Sequence, residues 1–182
     1  MEGRAQQGRV QHERSNEGDY ESALTNDDRL DLRIWLRLLT CTNLIEREVR
    51  QNLRQSFDFT LPRFDLLAQL DRAEGGLTMG ALSRRLMVSN GNVTGLIDRL
   101  VAEGLVERKT AAEDRRTQRV SLTPAGKTAF DAMTPEHQRW IHEMLEGLGR
   151  EDMEALFALL GKLKHALAGA RENSPKPGAD DA

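Results

Sequence analysis

Three arginines within five positions, Arg115, Arg116 and Arg119, stand beside Asp114 in the stretch AEDRRTQRVSL. A guanidinium keeps its charge at any physiological pH and presents a planar fork of donors that fits phosphate oxygens. Upstream, the stretch SRRLMVSNGNVTG supplies Arg84 and then a run of short polar residues: Ser89, Asn90, Asn92 and Thr94, interleaved with Gly91 and Gly95. Asparagine can pair bidentately with adenine in the major groove. A helix that starts at Ser89 turns its free N–H groups toward an anion. Gly91 and Gly95 are four residues apart, so they share one helix face and let a partner approach the backbone. That arrangement costs about 1 kcal/mol of helix propensity per glycine. Arg84, Arg108, Arg115 and Arg119 are candidates for phosphate contacts.

The charge is local. The chain has 182 residues and a net charge of −3. Residues 78–122 hold eight bases against five acids, whereas residues 1–31 hold four bases against eight acids. A basic segment in an acidic chain suits a polyanionic partner. Other chemistry is poorly supported. The stretch PAGKT has the end of a phosphate-binding loop, but Ser121 occupies the position of its first glycine. His137 and His142 are five apart and off a common helical face, His12 and His165 stand alone, and no metal-ligand spacing emerges. No nucleophile–base arrangement stands out, so no enzyme activity and no cofactor are expected. The single cysteine, Cys41, excludes an internal disulfide, no run is apolar enough to cross a bilayer, and no secretory h-region opens the chain. A cytoplasmic protein without a membrane partner is the expectation.

The elements that must hold these residues follow from periodicity. Residues 1–26 are polar and aperiodic and are expected to form a disordered arm; residues 170–182 read as a disordered tail. Asn26 or Asp27 caps a long helix with Leu30, Ile34, Leu38, Ile45, Val49 and Leu53 at helical spacing. A second helix follows Pro62 and ends before Gly75-Gly76. Thr78 and Ser89 are N-caps of two helices joined by a tight turn at Met87-Val88, a helix-turn-helix. In the second of them Val93, Leu96, Ile97, Leu100 and Val101 form the predicted buried face, and Gly104 stops it. LVERK and TQRVSL are strands of a two-stranded ribbon whose tip and outer face carry the arginines. Thr123-Pro124 opens a helix that Pro135 should kink or divide, and REDMEALFALLGKLKHAL is a final amphipathic helix.

This order of elements resembles the MarR family of winged-helix regulators over about residues 28–168. LTMGALSRRLMVSNGNVTGLIDRLVAEGLVERK is similar to the family's helix-turn-helix and first wing strand. EDRRTQRVSLTPAGK is similar to its wing tip, second strand and entry to a dimerisation helix. The resemblance implies a mainly α fold with a small β-wing: dimerisation helices at 27–60 and 123–169 and a winged helix-turn-helix lobe at 61–122. It implies an obligate homodimer on double-stranded DNA, with Arg116 entering the minor groove and Asp114 orienting it. A narrow minor groove concentrates negative potential and attracts arginine. A dimer should read a near-palindrome with half-sites about one helical turn apart, most simply as a repressor.

Family members bind small aromatic molecules, and the stretch LRIWLRLLTCTNLIEREVRQNLRQSFDFTLPRFDLLAQL is similar to regulators of aromatic-acid catabolism. The implied effector is an aromatic acid or its CoA thioester, with Trp35, Cys41, Arg63 and Phe64 as lining candidates and arginine taking an anionic group. Redox control through Cys41 is the rival. Against it, Cys41 lies within an apolar helix and the one tyrosine, Tyr20, is in the arm. A winged helix used for protein contacts alone is the third possibility, and the basic wing argues against it.

Overall fold

A computed structural model of the chain describes residues 30–110 and 118–172, with side chains to residue 169. The expected arm, the cap at Asn26 or Asp27, the wing tip and the tail from residue 173 lie outside the described residues. Those described run α1 (Leu30–Phe57), α2 (Leu61–Asp71), β1 (Leu77–Thr78), α3 (Met79–Leu86), α4 (Asn90–Ala102), β2 (Val106–Thr110), β3 (Gln118–Leu122), α5 (Pro124–Leu145) and α6 (Arg150–Glu172). The chain falls into two units, residues up to Arg50 and residues from Gln51, each taken by itself below.

In the first unit α1 is a helix whose apolar residues Leu30, Ile34, Trp35 and Leu44 are exposed. Arg50 pairs with Glu46 at 2.7 Å, the acid standing one turn N-terminal to the base.

The second unit is built round α2. This short helix is apolar on most sides, with Leu61, Phe64, Leu66, Leu67 and Leu70 buried. It touches α3, α4, α5 and β3, so no broad polar face is left to it. Asp58, at φ 49, ends α1 as a left-handed residue, and its N–H bonds the Arg54 carbonyl. After α2 the chain turns at Gly75 and Gly76, with φ of 75 and 76. Gly76 is needed twice over, since a Cβ there would also collide with the Val120 carbonyl.

The ribbon expected from sequence is a three-stranded antiparallel sheet, order β1-β3-β2. The extra strand is Leu77–Thr78, paired with Val120 and Arg119. Two residues are too few to show alternation, and Thr78 serves α3 as its cap as well. Alternation along β2 and β3 turns Val106 and Val120 inward, where both are buried. Thr123 ties the sheet to α5: its hydroxyl donates to the Gly104 carbonyl at 2.6 Å, and its oxygen accepts from Gly126 N at 3.0 Å. A Cβ on Gly126 would penetrate the Leu105 carbonyl. The glycine of PAGKT is thus a packing residue, where a phosphate-loop reading would have made it a cradle.

α5 runs unbroken through Pro135, so of the expected kink or division the division does not occur. Proline removes one hydrogen bond from the ladder, and packing of Phe130, Met133 and Trp140 on either side holds the helix together. Phe64 stacks on His137 with centroids 4.7 Å apart and lies 5.4 Å from Phe130, and Phe57 stands 6.2 Å from Trp140. α6 begins and continues as expected and extends to Glu172. Its apolar residues Met153, Leu156, Leu160, Leu163 and Leu167 recur at three- and four-residue steps and remain exposed or nearly so, with Phe157 at 83%.

Candidate nucleic-acid interface

The helix-turn-helix is closed by side chains at each corner. Thr78 Oγ1 accepts from Ala81 N at 3.2 Å and starts α3. Met87, at φ 55, ends it. The Ser83 carbonyl accepts from the N–H groups of Met87 and Val88, and the Ser83 hydroxyl donates to the Val88 carbonyl at 2.6 Å. Ser89 caps α4, its Oγ accepting from Asn92 N at 3.4 Å. Both expected N-caps therefore occur. Of the predicted buried face, Val93, Ile97 and Leu100 are fully buried, Leu96 is half-buried and Val101 is 38% exposed. The stripe is narrower than periodicity alone suggests, because α2, α3 and β2 cover one side of the helix only.

The opposite face of α4 is open. Asn90, Gly91, Asn92, Thr94 and Gly95 are all exposed. A Cβ added at Gly91 or Gly95 would meet no heavy atom within 4 Å. Nothing inside the described protein requires glycine at either position. Thr94 donates its hydroxyl hydrogen to the Asn90 carbonyl at 2.9 Å, which leaves its methyl and lone pairs outward. The two asparagines keep free amide groups on the first turn. Arg84 and Arg85 are exposed in the last turn of α3, and neither forms an ion pair among the described residues.

The wing arginines divide. Arg108 lies opposite Val120 in the sheet, so its side chain leaves on the inner, helix-facing side. It pairs with Asp98 of α4, Nη2 to Oδ1 at 2.5 Å. Arg119 lies opposite Lys109 on the outer face, and its Nη1 donates to the Gly76 carbonyl at 3.1 Å. Both side chains fix the wing to its surroundings, so the expected outer-face position for Arg108 is corrected. Lys109 and Glu107 pair at 2.5 Å. Asp114, Arg115 and Arg116 lie outside the described residues.

The four ligand-lining candidates do not share one kind of environment. Arg63 forms an ion pair with Glu103, the C-cap residue of α4, and its guanidinium carbon lies 4.0 Å over the Phe59 ring. Phe64 is buried in the aromatic cluster. Both have packing partners within the second unit. In the first unit Trp35 is 57% exposed and Cys41 is exposed. Sequence periodicity placed both on an apolar helix; it could not show what that helix packs against. Burial holds the His137 imidazole below its ordinary pKa. Among the described residues no His, Cys, Asp or Glu group is arranged to hold a metal ion, and no helix is long and apolar enough to cross a membrane.

A capped helix pair with one short-side-chained face outward, flanked by a small antiparallel wing, defines a winged helix-turn-helix protein. Comparison with known proteins carries this further. A family model described as the MarR family matches residues 57–117. A helix-turn-helix-type transcriptional regulator of Bacillus cereus is 31% identical over 142 residues, covering 77% of this chain and 93% of its own length. Transcriptional activatory protein BadR of Rhodopseudomonas palustris is 28% identical over 153 residues, covering 79% and 87%. Among solved structures, AbsC, a MarR family transcriptional regulator from Streptomyces coelicolor, matches with a TM-score of 0.69 at 25% identity, over 80% of this chain and 97% of AbsC. Wild-type MarR from Escherichia coli matches with a TM-score of 0.62 at 29% identity, over 70% and 94%. The chain belongs to the MarR family: it is a DNA-binding transcriptional regulator of the helix-turn-helix type.

Proposed function

We propose that the chain works as a homodimeric repressor on a near-palindromic operator, released by a small aromatic acid or its CoA thioester. The observation that carries the DNA-binding geometry is the open N-terminal face of α4 beside a wing pinned by Arg108 and Arg119. In this reading Ser89, Asn90, Asn92 and Thr94 meet base edges, and Gly91 and Gly95 admit the duplex to the backbone. Arg84 and Arg115 take phosphates, and Arg116, oriented by Asp114, enters the minor groove.

Dimerisation is supported by α6. Met153, Leu156, Leu160, Leu163 and Leu167 follow the 3-4-3-4 spacing of a helix–helix seam, and they are left open to water. A groove of about 700 Å³ beside them, lined by Leu145, Leu148 and Phe157 with Arg150 paired to Glu154 at 2.8 Å, suits a second apolar helix. The effector itself rests on the resemblance to aromatic-acid regulators. Exposure of Cys41 supports thiol oxidation as a second route of release. The relative BadR is named for activation, which favours the opposite regulatory sign as the second reading.

Selection of bound duplexes from random DNA by the purified protein tests the central reading. The expected result is a near-palindrome held with strong salt dependence, and release by benzoate, hydroxycinnamates or their CoA esters. Absence of any salt-sensitive DNA binding would instead point to a protein-contact module. Peroxide release that persists in Cys41→Ser would dismiss the thiol.

A further inference from the structure

Gly91, Gly95 and Asp98 stand at i, i+4 and i+7 along α4, on the ridge opposite the buried Val93, Ile97 and Leu100. An acid on that ridge is unexpected in a helix that presents itself to a polyanion. A bare carboxylate there would repel phosphates and oppose binding. Arg108 answers it. Its stem runs along the inner face of β2, and its guanidinium closes on Asp98 at 2.5 Å, with the two side chains 32% and 54% exposed. Neighbouring charges do not replace either partner: Glu107 and Lys109 pair with each other from the other strand face, and Arg99 forms no ion pair among the described residues. An ion pair this open to water adds little to stability. Its larger consequence is positional, since it ties the first wing strand to the third turn of the helix and occupies a guanidinium that would otherwise reach for phosphate.

Resting on the DNA-binding reading above, we propose that Asp98 is a specificity-determining positioning residue. It holds Arg108 away from the phosphates of duplexes in general and keeps the wing in register with the recognition helix. The protein thereby gives up affinity that carries no sequence information, because phosphate contacts strengthen binding to every sequence alike. Discrimination between operator and bulk DNA gains because release of Arg108 also frees the wing from α4: the fitted operator loses in register part of what the added phosphate contact gives, whereas an unrelated duplex has no such fit to lose and keeps the whole gain.

The test compares wild type, Asp98→Asn, Arg108→Gln and the double variant on two probes of equal length, a duplex selected by the wild-type protein and an unrelated one. All three variants exchange exposed charged side chains for neutral polar ones, and thermal melting checks that they are folded. Asp98→Asn frees Arg108. Binding to the unrelated duplex should tighten about three- to tenfold, with a log–log salt slope steeper by about two for a dimer, one phosphate per protomer. Binding to the selected duplex should change less, so discrimination falls. Arg108→Gln leaves Asp98 unneutralised and should weaken both duplexes about fivefold. The double variant should lose the Asp98→Asn gain, because the extra contact is Arg108 itself. The proposal is overturned if Asp98→Asn stays within twofold of wild type on the unrelated duplex at an unchanged slope. It is also overturned if the gain survives in the double variant, or if Arg108→Gln binds as wild type does. A wild-type protein that binds no duplex at all would instead remove the DNA-binding reading underneath.

Discussion

Replacing Gly91 and Gly95 together by alanine should make the protein more stable and a poorer DNA binder at once. Both residues lie inside α4, both are exposed, and a Cβ at either has open space to 4 Å. Alanine therefore meets no steric penalty in the free protein and recovers helix propensity of about 0.8–1.0 kcal/mol at each site. Together that is about 2 kcal/mol, or about 4–8 °C in Tm for a domain of this size. On DNA the same two methyls stand on the ridge that approaches the duplex. Overfilling a close-packed contact costs about 1–3 kcal/mol, a loss of about five- to 150-fold in Kd.

Two measurements separate the possibilities. Chemical denaturation reads the first effect, and fluorescence anisotropy on a selected operator reads the second. A gain in stability with unchanged affinity would refute the close approach of backbone to DNA and leave the glycines as tolerated residues. No gain in stability would refute the open environment in the structure. Gly91→Ala and Gly95→Ala taken singly should split the stability gain about evenly, since nothing couples the two sites inside the protein.

Arg116→Ala should weaken operator binding by about 1–3 kcal/mol; unchanged affinity at several salt concentrations would reject a minor-groove role. Phe157→Arg, placing a charge on the 83% exposed flank of the α6 apolar face, should shift sedimentation from dimer toward monomer at micromolar concentration while the helical circular dichroism persists. A dimer of unchanged tightness would move the interface elsewhere. The lowered pKa of His137 means that the unfolded chain takes up a proton more readily than the folded one. Stability from this group is therefore complete above about pH 6.5 and declines as pH falls below it; His137→Phe should flatten urea-unfolding stability between pH 7.5 and pH 5, and an undiminished slope would refute the assignment. Met87→Gly relieves a left-handed residue that is 85% exposed and should stabilise by about 1 kcal/mol in the same denaturation assay.

Local chemistry was readable from sequence wherever a side chain acts on its own backbone. Thr78, Ser89 and Thr123 cap helices in the structure where their types and positions said they would, because a cap depends on three or four consecutive residues. What a side chain meets on a distant surface was less legible. Arg63 and Phe64 look like ligand groups in isolation, yet Glu103 lies 40 residues from Arg63 and claims it, and Phe64 is stacked by α5. Val101 fits the helical period but reaches past the edge of what α2, α3 and β2 cover. Arg108 was readable as basic and as part of a strand. Its direction was not, since the face it occupies follows from pairing with Val120. Gly126 had a signal of its own, a glycine in the first turn of a proline-started helix, but the carbonyl it must clear belongs to Leu105 across the sheet.

An acidic chain can serve a polyanion because charge acts over short range in salt. At 0.1 M ionic strength the screening length is about 10 Å, so the net charge of −3 matters less than what lies within one helix diameter of the duplex. There the count is smaller than the sequence suggests. Of the eight bases in residues 78–122, Arg108 is held by Asp98, Lys109 by Glu107, and Arg119 is anchored on the Gly76 carbonyl. Those three shape the wing and join it to its neighbours. Arg84, Arg85 and Arg99 remain without ion pairs among the described residues, and Arg115 and Arg116 lie outside them. The lobe thus uses part of its positive charge as internal fastening, and the part that faces outward is arranged by it. In the proposed complex, sequence preference then falls to a helix face with two asparagines, a threonine methyl and two glycines. Such a face reads few base edges and depends on how closely the wing and helix together fit the shape of the duplex. On that proposal a small change in wing position alters discrimination more than it alters fold stability, which is how an exposed pair of modest energy would govern the selectivity of the site.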